Sequence, residues 1–204
     1  MGVVSAVPAP DARRSDGAVV DAGKIRMSAA FRDAIGDDIL TALYDYWRSR
    51  KSDGTLPGRA DIDPVDMPRA ALPYIVLADV GDGGNRIHYR LVGTAIVNEW
   101  GSDFTGQYIE EMMDGSYLDF VRGLFIDVMT HRCAVLSEST FRWDVGKVVG
   151  ARRVYMPLAT DGETVDMVLI GQTFSRGDDR PDQPWKLLEA TQGHTELGRI
   201  HDTR

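Results

Sequence analysis

Five β-prone runs, two ahead of an amphipathic helical stretch and three behind it, most restrict what this chain can fold into. Tyr74 to Val80 is an almost continuous apolar run, and Asp82-Gly83-Gly84-Asn85 has the turn chemistry to send the chain back through Arg86 to Val92 as an antiparallel partner. Thr94 to Trp100 then reads as a short helix. Ser116 can cap a longer one, whose Phe120, Val121, Leu124, Phe125 and Val128 form an apolar stripe ending near His131. Cys133 to Trp143, Lys147 to Leu158 and Val165 to Phe174 are the last three strands, with Asp144-Val145-Gly146 and Asp161-Gly162-Glu163 as hairpin turns. Val165 to Phe174 is apolar at both parities, as a strand buried on both faces must be.

Ahead of the strands, Phe31, Ile35, Ile39, Leu43, Tyr46 and Trp47 recur at helical spacing, which predicts one amphipathic helix from Ser28 to about Ser49. Arg48, Arg50 and Lys51 suit its carboxyl end, and Gly54 is a stop. Four prolines between Leu56 and Pro73 leave room only for an ordered connector with short turns. The expected organisation is a mobile tail over residues 1–25, the amphipathic helix within 26–55, an α+β domain over 56–176, and an extension over 177–204 with a weak helical pattern.

A net charge of -8 argues against a nucleic-acid partner, because binding to a phosphate backbone draws on Lys and Arg. The single Cys133 fits a reducing compartment. No apolar run reaches the roughly 20 residues that span a bilayer, and the first 24 residues lack the pattern of a secretory signal. The expected location is therefore the cytoplasm, away from the membrane.

Several local phrases narrow the fold further. Leu56-Pro57-Gly58-Arg59-Ala60-Asp61-Ile62-Asp63-Pro64, Leu72-Pro73, Tyr89-Arg90-Leu91-Val92-Gly93-Thr94, Phe104-Thr105-Gly106, Arg153-Val154-Tyr155-Met156-Pro157-Leu158 and Asp161-Gly162 resemble a family of small standalone bacterial PAS-domain proteins of alphaproteobacterial type. The resemblance spans about residues 30 to 176. It implies a five-stranded antiparallel sheet with helices over one face, where PAS domains bind ligands. It also implies an N-terminal helix that packs on the other face or dimerises. Phe31, Ile35, Leu43 and Trp47 are the expected dimer-interface residues of that helix.

A pocket on such a sheet draws its lining from the second strand, the short helices after it and the closing strands. Tyr89, Thr94, Trp100 and Tyr155 are the candidates there, combining fixed hydrogen-bonding groups with apolar walls. Core packing is the commoner role of aromatics at such places. Arg90, Arg152 and Arg153 can hold a carboxylate or phosphate, but Arg152 and Arg153 must point to opposite sheet faces, so only one of those two enters a given pocket. Arg90 and Arg153 are the candidates carried forward. An outward arginine is expected to pair with an acid.

No catalytic constellation stands out. Gly81-Asp82-Gly83-Gly84 lacks the lysine of a phosphate loop, and Glu110-Glu111 diverge on a helix. His131 invites a haem reading, but one histidine also serves as a helix terminus. The cysteine motif of a flavin photoadduct is absent around Cys133. No metal or cofactor is expected. The expected function is a non-enzymatic sensor or regulatory module that binds a small molecule, a signalling protein, or both, as a homodimer. The alternative is a ligand-free dimerisation adaptor; an enzyme is the third class.

Overall fold

The structure, a computed structural model, describes residues 28–52, 54–142, 148–176 and 195–202. In chain order its main elements are α1 (Ser28–Ile35), α2 (Asp38–Ser49), β1 (Ile75–Gly81), β2 (Arg86–Val92), α3 (Thr94–Trp100), α4 (Ile109–Met112), α5 (Gly115–His131), β3 (Val135–Arg142), β4 (Val148–Leu158), β5 (Met167–Arg176) and β6 (Thr195–His201). The strands form one antiparallel sheet in the order β2-β1-β5-β4-β3-β6. The turn expected at residues 144–146, the N-terminal tail and most of the C-terminal extension lie outside the described residues.

The expected five strands are all present, and a sixth joins them. β6 arises in the segment whose pattern reads as weakly helical, and it pairs antiparallel with β3, Ser137 opposite Arg199 and Val135 opposite His201. Tertiary pairing overrides a weak local preference here. The single helix expected from Ser28 to Ser49 is also corrected, because it is two helices. Gly36 takes a positive φ of 57°, and Asp37 caps α2 by accepting from the Leu40 amide at 2.9 Å. At the start of α5, the cap position belongs to Asp114 rather than Ser116.

Period two divides the sheet into two faces. On β4, Arg152 donates to the Ile35 carbonyl at 2.8 Å, whereas Tyr155 meets the Phe125 ring of α5 edge-on at 5.5 Å. α1 and α2 therefore cover one face and α5 the other. Residues 167–170 of β5 are buried at both parities, as expected of a strand covered on both sides.

The apolar stripe of α1 and α2 is spent within the chain. Phe31, Ile35, Leu43 and Trp47 are all buried, and Trp47 Nε1 donates to the Pro157 carbonyl at 3.0 Å. The four residues expected at a dimer interface are thus buried within this chain. Among the described residues no helix is long and apolar enough to cross a membrane.

Candidate ligand-binding site

The face under α5 carries polar side chains in a place where apolar ones would pack better. Registry puts Ser137 of β3, Arg153 of β4 and Gln172 of β5 side by side in one row across the sheet. All three are buried, with Arg153 only 2% exposed. Arg153 Nη1 donates to Ser139 Oγ at 2.7 Å, and Nη2 donates to the Tyr117 hydroxyl of α5 at 3.4 Å. Ser137 Oγ, Gln172 Nε2 and, on α3, Trp100 Nε1 are buried without a hydrogen-bond partner among the described residues. Such groups each cost about 1–3 kcal/mol when left unsatisfied, so a concentration of them is informative.

Three tyrosines join this row. Burial raises the pKa of Tyr89 well above its ordinary value, reinforced by the nearby Tyr155 and Tyr117 and opposed by the Arg153 charge. Burial also raises Tyr117 and Tyr155, again against the pull of Arg153. The three phenols therefore stay neutral and offer O–H donors around a buried cation. Tyr89 lies nearly parallel to Trp100, with ring centroids 6.4 Å apart and planes 17° apart. Phe104 closes on the other side of Trp100 at 5.7 Å.

Of the six expected ligand contacts, the structure gathers Tyr89, Trp100, Arg153 and Tyr155 on the α5 side of the sheet. It does not bring in Arg90 or Thr94. Arg90 lies outside, ion-paired with Asp79 at 3.3 Å, because alternation along β2 turns Ile87 and Tyr89 inward and His88 and Arg90 outward. Thr94 is exposed in the first turn of α3. Arg152 lies on the far face and pairs with Glu138 directly across β3.

Sequence reasoning missed Ser137, Ser139, Gln172 and Tyr117. A signal was present: Ser137 and Ser139 share one parity of β3, and Gln172 interrupts an apolar strand. The cofactor candidates stand elsewhere. His131 is exposed at the end of α5, with Nδ1 3.0 Å from the Asp127 carbonyl. The buried Cys133 thiol has its pKa pushed up to about 11, first by burial and then by the Asp202 charge, which leaves it unreactive at neutral pH.

A family model described as "PAS domain" matches residues 37–171. The chain belongs to the PAS-domain family, and the α+β sheet and its covering helices are the PAS fold. Twenty solved chains match it. One, a variant of RsLOV, is 12% identical with a TM-score of 0.40, covering 53% of this chain and 64% of that one. Likeness at that level bears on neither ligand nor activity. No curated protein sequence matches this chain.

Proposed function

We propose that this protein is a cytoplasmic, non-enzymatic PAS sensor that holds a small carboxylate-bearing molecule against the α5 face of its sheet. The reading is supported above all by a buried arginine set beside buried polar atoms that have no hydrogen-bond partner among the described residues. A guanidinium presents a planar fork of donors, and a carboxylate is the group that fork fits best. A ligand seated there would accept from Arg153 and from Gln172 Nε2, with Ser137 Oγ beside them in the same row. Tyr89, Trp100 and Tyr155 would cover its apolar part, a division of labour typical of small-molecule sites.

Signalling through such a site requires the ligand to favour one of two conformations. The output in this reading is contact with a second protein. Homodimerisation remains part of the proposal, through a surface other than the buried stripe of α1 and α2.

Native mass spectrometry of the purified chain, paired with denaturing mass analysis, tests the site. The expected result is a retained small molecule that is lost in Arg153→Met. If the chain carries no ligand and no member of a panel of mono- and dicarboxylates raises its melting temperature, the sensor reading fails. The adaptor reading, with the interior filled by the protein's own side chains, then takes its place.

A further inference from the structure

Away from the buried row, the C-terminal strand meets the end of α5 through three potential metal ligands. Asp127 and His131 lie four residues apart, on one face of the last turns of α5. His201 comes from β6, on the same sheet face as Arg199 and Val135. One ligand atom from each residue can be chosen so that all lie within 4.8 Å of one another. His201 Nε2 is 3.5 Å from Asp127 Oδ2, and the His131 and His201 rings are 4.7 Å apart.

The hydrogen bonding around these groups suits a metal. With Nδ1 of His131 donating to the Asp127 carbonyl, Nε2 keeps its lone pair, the arrangement that fixes the tautomer of ligating histidines. His201 Nε2 is buried and faces Asp127 Oδ2. Arg199 also binds Asp127 Oδ2; it orients the carboxylate while competing for its charge, so the affinity should be moderate. Ligands on a tetrahedral zinc stand about 3.3 Å apart. The widest pair here would need to close by roughly 1.5 Å, within reach of rotations of an exposed histidine side chain.

We propose that Asp127, His131 and His201 bind a divalent first-row transition metal of the zinc class, with water completing the shell, and that the ion clamps β6 to α5. Two imidazoles and one carboxylate form a borderline donor set, which favours such ions over magnesium or calcium. The clamp joins two elements that are remote in sequence, so metal occupancy sets how firmly the C-terminal strand is docked.

The test is equilibrium dialysis of the full, tag-free chain against zinc at pH 7.5. Site-bound zinc should be one ion per chain, with affinity falling at least tenfold in His131→Ala and in His201→Gln. Circular dichroism checks that both variants remain folded without metal. Hydrogen exchange should show added protection of β6 amides on zinc addition in the parent chain and none in His131→Ala. The proposal is overturned if the parent chain retains no zinc in the dialysis, or if both variants bind as the parent does. It also fails if binding is instead lost in His88→Ala, a histidine elsewhere with an acidic neighbour. Zinc binding that leaves β6 exchange unchanged would remove the clamp.

Discussion

The two faces of the sheet are built by opposite rules. Leu40, Leu43 and Trp47 of α2 bury apolar surface against β4 and β5, with Phe31 and Ile35 of α1 buried beside them. Gly171 leaves the space in which Leu40 and Leu43 sit: a Cβ there would lie 2.8 Å and 2.7 Å from their δ-carbons. Under α5, by contrast, Ser137, Arg153 and Gln172 occupy buried positions that could have been aliphatic. One face contributes stability by close packing. The other gives up some of that stability to keep polar groups in place, as the ligand site proposed for it would require.

The sharpest way to break this comparison is to damage the packed face. Trp47→Ala should cost about 3–5 kcal/mol in denaturant unfolding, through the cavity it leaves and the lost bond to Pro157; a cost below about 1 kcal/mol would mean that α2 is not seated as described. Gly171→Ala should destabilise by a smaller amount, about 1–2 kcal/mol, because the leucines above it must shift in a close-packed layer. If the substitution is neutral, α2 does not approach β5 closely. On the other face, the double substitution Ser137→Ala and Gln172→Met should leave stability within about 1 kcal/mol of the parent, or raise it, since it removes unsatisfied polar groups rather than contacts. The same variant should lose any bound carboxylate. A large destabilisation would show that these side chains are structural, and the contrast between the faces would disappear.

Legibility in the sequence followed the same division. Period-two and period-3.6 patterns were enough to order the first five strands and α5, and to set Arg152 and Arg153 on opposite faces, because those patterns report which side of an element is buried. The break at Gly36 was hidden: apolar spacing runs through it, and a left-handed residue followed by a capping aspartate looks locally like any helical glycine. β6 was hidden for a different reason. Its pairing partner lies about 60 residues earlier in the chain, and Gly198 and the charges beside it weaken any local strand signal. The polar row was legible only in part. Tyr89, Trp100, Arg153 and Tyr155 are large enough to stand out, while Ser137, Ser139 and Gln172 gain meaning only once registry sets them around the guanidinium.

The strand order carries one more consequence. With β6 alongside it, the outer rim of β3 has its backbone amides and carbonyls occupied by the chain's own C-terminal segment. Were that segment to lift away, β3 would become an open rim, able to recruit an extended peptide by backbone pairing. The C-terminal strand thus fills a rim that would otherwise stand open to backbone pairing.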